Sequence, residues 1–359
     1  MTIATESALS ARPAESRPDI HDLVVTELEE FMIAAGERKF RARQVMGWLY
    51  GRNADSFELM SDVPAALRER LGERFTLGAV PEAFVSRSAD GARKILLKLG
   101  DGEAIESVVI PSDGRVTLCM SSQVGCAMGC EFCATARMGL HRNLGVGEML
   151  SQVFAARREL REVEEFTNYV FMGMGEPLAN YPRLLKVLTI MTSDWGMGIS
   201  PRRITVSTVG LVPMMERLLA DIPVNLAVSI HAAGDQLRGR LVPINRHYPL
   251  EELVEACKRI PLRRRRRITF EYVMLAGVND SPEEAQRLAK LLAPIRAKVN
   301  LIFFNPYPGA PFRSSSRAAA ERFQATLLRG NLTATVRESR GADIAAACGQ
   351  LYVDRHVGR

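Results

Sequence analysis

The sequence predicts an α/β protein: a parallel sheet, open or curled into a partial barrel, behind a small N-terminal helical domain. Beyond Pro111, apolar runs of strand length alternate with amphipathic stretches of helix length, the pattern of successive βα units. Before about residue 80 the apolar spacing is helical instead. A third observation links this fold to chemistry, because nearly every group of distinctive residues falls just after an expected strand. In parallel α/β folds the carboxyl ends of the strands share one face, and sites form there.

Residues 1–20 are rich in Ala, Ser, Pro and Arg and read as a disordered tail. Helices are expected over 23–35, 41–51 and 64–75, divided by polar or Gly-containing breaks, so that 21–80 forms the small helical domain. Short strands over 93–99 and 104–110, around Gly100-Asp101-Gly102, make 81–110 a β-rich connector. The main domain, 111–351, should carry strands over 116–120, 167–172, 203–207, 224–229, 268–274, 299–304 and 333–337. Helices are expected between them over 147–160, 182–192, 250–260, 282–292 and 317–328, and 352–359 reads as a C-terminal tail.

At 359 residues and 47% hydrophobic content the chain can bury a large core. It has no run of eighteen apolar residues, and its first residues lack the apolar centre of a signal peptide, so the expectation is a cytoplasmic protein with no membrane partner. Six cysteines do not argue for staples in a chain of this size, and a reducing compartment fits better. The formal charge of +6 and the pI near 9.1 suit a polyanionic partner. Five consecutive arginines at 263–267, and the basic stretch at 38–43 followed by Trp48 and Tyr50, are the local candidates for RNA contact. A charge run is also what a solvated face looks like, and aromatics at that spacing equally suit a core.

The most informative segment is Gly125-Cys126-Ala127-Met128-Gly129-Cys130-Glu131-Phe132-Cys133. The spacing C-x3-C-x2-C offers three thiolates to one inorganic centre, and a cuboidal 4Fe-4S cluster held by three cysteines keeps one iron open. The rival is a Cys3His zinc site, whose nearest histidine, His141, lies eight residues beyond Cys133. Downstream come Gly173-Met174-Gly175-Glu176-Pro177, Ser207-Thr208-Val209-Gly210, Ser229-Ile230-His231, Asn305-Pro306-Tyr307-Pro308 and Ala347-Cys348-Gly349-Gln350-Leu351.

The cysteine spacing resembles that of the radical S-adenosylmethionine (radical SAM) enzymes. The whole order of motifs, from about Leu28 to Leu351, resembles the RlmN family, dual-specificity methyltransferases acting on carbon 2 of adenine in ribosomal and transfer RNA. The resemblance implies a partial (β/α)6 radical SAM barrel. It also implies a 4Fe-4S cluster on Cys126, Cys130 and Cys133, and S-adenosyl-L-methionine bound through Gly175, Glu176, Ser207, Ser229, Ile230, His231 and Asn305. By the same resemblance, Cys348 is the methyl-carrying cysteine, Cys119 the resolving thiol that forms a transient disulfide with it, and Glu106 the proton acceptor. The implied partners are 23S rRNA in its peptidyl-transferase region and tRNA at the adenine next to the anticodon, with an electron-donor protein and a disulfide reductant; a monomer is expected. One departure is Gly139-Leu140-His141-Arg142, where the family pattern has a Phe-Asn-Arg stretch.

Chemically, carbon 2 of adenine lies between two ring nitrogens and is electron-poor, so it resists direct attack on an electrophilic methyl group and calls for cofactor-borne chemistry. Taken singly, Cys119 in an apolar strand and Cys348 after three alanines read as small buried hydrophobes, Cys257 as a core residue, and Glu106 as a strand carboxylate of either kind. A Cfr-type relative acting on carbon 8 remains open, as does, from another class, a non-catalytic RNA-binding protein with a structural metal centre.

Overall fold

The computed structural model describes residues 17–78, 81–263 and 266–353 and divides the chain into two compact units, Met1–Ala79 and Val80–Arg359. In the first, helices Val25–Ala34, Phe40–Met46 and Ala65–Arg74 bury Leu28, Met32, Val45, Leu67 and Leu71 completely. Each such side chain contributes roughly 1.5–3 kcal/mol relative to exposure. Tyr50 joins this core with its hydroxyl on the His21 carbonyl, whereas Trp48 is half-buried, donates to Asp62 and lies under the Arg52 guanidinium, 4.1 Å from the ring centroid.

The expected tail is shorter than 1–20. Residues 1–16 lie outside the described residues, but Ile20 is fully buried and donates its N–H to the Thr76 carbonyl at 2.9 Å, while Thr76 donates back to Pro18. The Asp19 side chain accepts from the His21 N–H and caps the turn Ile20–Asp22. One apolar residue and one capping carboxylate outweigh the tail-like composition around them.

The second unit is built on twelve strands, β1 (Glu82–Arg87), β2 (Arg93–Lys98), β3 (Ala104–Ser112), β4 (Arg115–Cys119), β5 (Gln123–Gly125), β6 (Leu140–Asn143), β7 (Asn168–Phe171), β8 (Ile204–Thr208), β9 (Asn225–Ser229), β10 (Ile268–Met274), β11 (Ala297–Phe303) and β12 (Thr333–Arg337). Ten form one sheet in the order β1-β2-β3-β4-β7-β8-β9-β10-β11-β12, and β5 and β6 pair apart. From β4 to β12 every pairing is parallel, a run of seven strands, one more than the six of the implied barrel. The sheet curls so that strands as distant as β4 and β12 line a common lumen, yet they do not pair, and the barrel stays open.

The stretch expected as a connector is continuous with this sheet: β1, β2 and β3 pair antiparallel, and β3 runs past residue 110 to pair with β4. The connecting helices start where the sequence supplies caps, Ser281 accepting from the Glu284 N–H before Pro282–Leu292 and Ser316 from the Ala319 N–H before Arg317–Arg329. Helices Val212–Asp221 and Asp235–Leu241 lie outside the sequence expectation, the second because seven residues are too few to display a period. Among the described residues no helix is long and apolar enough to cross a membrane.

Candidate active site

Every second residue of a strand faces the lumen, which holds two cavities stacked along the barrel. On β10, Thr269 faces the lower cavity, Glu271 borders both and Val273 faces the upper; on β11 the order is Lys298 and Asn300, then Ile302, with Phe304 just past the strand lining the upper cavity. The upper cavity, at the carboxyl ends of the strands, measures about 160 Å³; the lower measures about 540 Å³.

Cys126, Cys130 and Cys133 all line the upper cavity. Burial pushes the Cys126 thiol up to about 12 and Cys130 further, and the neighbouring thiols add to the rise at Cys130. Ligation by a cationic cluster would reverse that cost by releasing the protons. Among the described residues no three His, Cys, Asp or Glu converge on a single-ion site. Three thiols spread over one cavity wall suit a cuboid that offers each its own iron. The zinc alternative finds no fourth ligand in His141, whose Nδ1 pairs with Glu103 at 3.0 Å, away from this cavity.

The opposite wall comes from the loops after β7, β8 and β9. Gly173 and Gly175 are required there: a Cβ on Gly173 would lie 2.6 Å from Ser121 Oγ, and one on Gly175, at φ 99°, would lie 2.5 Å from Gln123 Cβ. Glu176 is buried, with Oε1 accepting from the Leu178 N–H at 3.0 Å and Oε2 from the Val209 N–H at 2.8 Å. Burial raises its pKa to about 7 against these hydrogen bonds. Ser207, Ser229 and His231 also line this cavity. His231 adopts φ 59°, held there by Asn279 Nδ2 on its carbonyl at 2.9 Å and by the Val273 N–H, which donates to Nδ1 at 3.0 Å. Nδ1 is thus the acceptor, Nε2 carries the proton, and burial beside the Arg238 charge lowers the ring's pKa to about 3.

Cys348 borders both cavities and Cys119 the lower one. Cys348 is ringed by protein but its sulfur is exposed to the lumen; burial, then the charge of Glu271, push its thiol up to about 11. Cys119, at the end of β4, is held well above the usual thiol range by burial and then by Cys348. The loop carrying Cys348 is tied down through its backbone: the Ala134 N–H donates to the Gly349 carbonyl at 2.7 Å and Thr135 Oγ1 to the Leu351 carbonyl at 2.6 Å. Gln350 Nε2 reaches the Pro306 carbonyl at 2.8 Å.

Three expected residues stand elsewhere. Asn305 lines neither cavity and donates Nδ2 to the Cys348 carbonyl at 3.2 Å. Ile230 is fully buried on the face opposite Ser229 and His231, its carbonyl taken by Arg238. Glu106 is buried on β3, an interior strand of the sheet, with Oε1 2.8 Å from Lys94 Nζ and Oε2 accepting from the Tyr352 N–H at 3.0 Å. It lines neither cavity; burial raises its pKa, partly offset by Lys94.

Sequence reading missed the residues that hold the site together. Arg238, fully buried, donates to the carbonyls of Val209, Ser229 and Ile230 and to Asn245 Oδ1, joining the loops after β8 and β9. Gln123 accepts from the Glu176 N–H at 2.8 Å. Of the arginine run, Arg264 and Arg265 lie outside the described residues, Arg266 donates to the Pro223 and Val224 carbonyls, and Arg267 donates to Thr333 Oγ1.

Two family models match the chain: the ribosomal RNA large subunit methyltransferase N-terminal domain over residues 18–77 and the radical SAM superfamily over 120–290. A dual-specificity RNA methyltransferase RlmN of Anaeromyxobacter dehalogenans is 52% identical over 350 residues, covering 96% of this chain and 94% of its own. The protein of the same description from Geobacter sulfurreducens is 51% identical, covering 93% and 91%. A crystal structure of a radical SAM methyltransferase from Sphaerobacter thermophilus superposes with a TM-score of 0.87 at 46% identity, over 93% of this chain and 99% of that one.

Proposed function

The chain belongs to the RlmN family of radical SAM RNA methyltransferases, and from that premise we propose that it places a methyl group on carbon 2 of adenine in both 23S rRNA and tRNA. In rRNA the target lies in the peptidyl-transferase region, and in tRNA it is the adenine next to the anticodon. The observation that carries this reading is that Cys348 borders both cavities, with Cys126, Cys130 and Cys133 lining the upper one and Cys119 the lower.

A 4Fe-4S cluster on Cys126, Cys130 and Cys133, with S-adenosylmethionine on its open iron, would supply a radical able to take a hydrogen atom from an unreactive methyl group. Glu176 suits the ammonium of that cofactor, since its carboxylate has lone pairs beyond the two its backbone donors use. Gly175 offers close backbone approach, and Ser207, Ser229 and the His231 Nε2–H offer donors to the cofactor's oxygens. Asn305 is a positioning residue, fixing Cys348 through its carbonyl.

Cys348 enters as a neutral thiol and gives up its proton as its sulfur takes a methyl group. That methyl carbon, having lost a hydrogen atom, later joins the ring. One electron and the carbon 2 proton then leave the adduct, and Cys119 attacks the Cys348 sulfur as a thiolate. The sulfur–carbon bond breaks with its electron pair on the methylene carbon, which takes up a proton, and methylated RNA leaves with the two cysteines joined as a disulfide. A disulfide reductant resets the pair, and an electron-donor protein serves the cluster. Glu106 is the proposed acceptor of the carbon 2 proton, and to reach the ring it must release the Tyr352 N–H.

The test is expression in a bacterial host lacking its own adenine methylase, with nucleosides of rRNA and tRNA resolved separately by mass spectrometry. 2-Methyladenosine in both pools is the expected result; 8-methyladenosine, or no new methyladenosine in either pool, overturns the reading.

A further inference from the structure

The lumen holds a carboxylate that this reaction leaves unused. Glu271 lies mid-way along β10, is only 7% exposed and borders both cavities, as Cys348 does. A buried carboxylate is costly unless its oxygens are engaged. Oε1 accepts from Asn300 Nδ2 at 3.0 Å, and Asn300 Oδ1 accepts from Thr335 Oγ1 at 3.0 Å. The three are register neighbours on β10, β11 and β12, so a rigid rung of the sheet sets the carboxylate's position. Oε2 has no protein partner among the described residues and is not sealed from solvent, so it opens into the lumen.

A base bound in the lower cavity with its reacting carbon at Cys348 therefore meets a fixed acceptor on its flank. Adenine offers an exocyclic amino donor, whereas guanine and hypoxanthine place an oxygen there. We infer that Glu271 is a specificity-determining residue that accepts a hydrogen bond from the exocyclic amino group of the target adenine, with Asn300 and Thr335 as positioning residues. This rests on the reading that the lower cavity takes the target adenosine, for which its volume is sufficient. Lys298 and Arg337 also line this cavity and suit the flanking phosphates.

The test uses the holoenzyme with stem-loop RNAs carrying adenosine, purine riboside or inosine at the target position; purine riboside lacks the amino group but keeps the carbon 2 hydrogen. The wild-type enzyme should prefer adenosine to purine riboside by about ten-fold or more in kcat/KM, the size of one hydrogen bond to a charged group. Glu271→Ala should bring that ratio close to one. Glu271→Gln, which keeps an acceptor, should restore preference over purine riboside, yet lose discrimination against inosine because its amide can turn a donor to the ring oxygen. Competition binding of the same RNAs gives the ratio without turnover. An unchanged ratio in Glu271→Ala overturns the inference. Failure of the wild type to methylate any of the RNAs would instead count against the functional reading, and the binding ratio alone would then judge Glu271.

Discussion

The two halves of the lumen share strands β7, β8, β10 and β11, yet are built in opposite styles. The upper half is small, largely apolar and shaped by backbone: glycines at Gly173 and Gly175, a left-handed His231 and carbonyls gathered by Arg238. The lower half is larger and shaped by side chains, among them Thr117, Asn168, Thr205, Thr269, Lys298 and Asn300. Closed barrels normally fill such positions with Val, Ile and Leu. On the function proposed above, the difference teaches that a cofactor of constant shape is met by fixed backbone, whereas a polyanionic substrate is met by hydrogen-bonding side chains and mobile charge.

The strongest way to sharpen that contrast is to cut the junction. Cys348→Ala should abolish methylation while visible absorbance of the cluster and SAM affinity persist, and Cys119→Ala should accumulate a protein–RNA crosslink on a denaturing gel. Loss of the cluster in Cys348→Ala would mean that the halves are not separable. Next in size, Arg238→Met strips partners from three carbonyls and Asn245. It should cost about 3 kcal/mol or more in urea unfolding and weaken SAM binding more than RNA binding.

His231 gives a pH test of the upper half. With its folded pKa lowered from 6.5 to about 3, the unfolded chain takes up a proton that the native ring refuses. Stability is therefore complete above 6.5 and lost as pH falls toward 3, by about 1.4 kcal/mol per unit. Urea midpoints at about pH 7 and about pH 5 should differ less in His231→Gln; an equal difference removes this ring as the cause. Smallest is the lower half's charge: Lys298→Gln with Arg337→Gln should weaken RNA binding about ten-fold. The same pair should flatten the slope of log affinity against log salt by roughly 0.7 for each single-strand phosphate no longer neutralised. SAM affinity should not move.

Much of this was legible in the sequence because it is local. The spacing of Cys126, Cys130 and Cys133 states a candidate ligand set within one loop, and the seven parallel strands β4 and β7 to β12 declare themselves as apolar runs, whereas β5 and β6 do not. What stayed hidden depends on partners distant in the chain. Arg238 sits in a seven-residue helix and does not stand out in the sequence, because nothing nearby in the chain shows that carbonyls of Val209 and Ser229 enclose it. Asn305 reads as a cofactor ligand by resemblance, whereas its amide holds the Cys348 carbonyl, 43 positions away in the chain. Glu271 carried a readable signal: in Ile268–Met274, Thr269 and Glu271 alternate with Phe270 and Tyr272, which marks a polar inner face.

The tie between Thr135 and Leu351 spans 216 positions, and the adjoining one joins Ala134 to Gly349. During synthesis the cysteine triad therefore leaves the ribosome long before the loop of Cys348 does. With the roles proposed above, a nascent chain would hold its metal-binding loop early but lack the methyl-carrying sulfur until translation had passed Cys348. On that proposal the order of residues along the gene would work as a safety catch, since Cys348 follows every strand of the barrel in the chain.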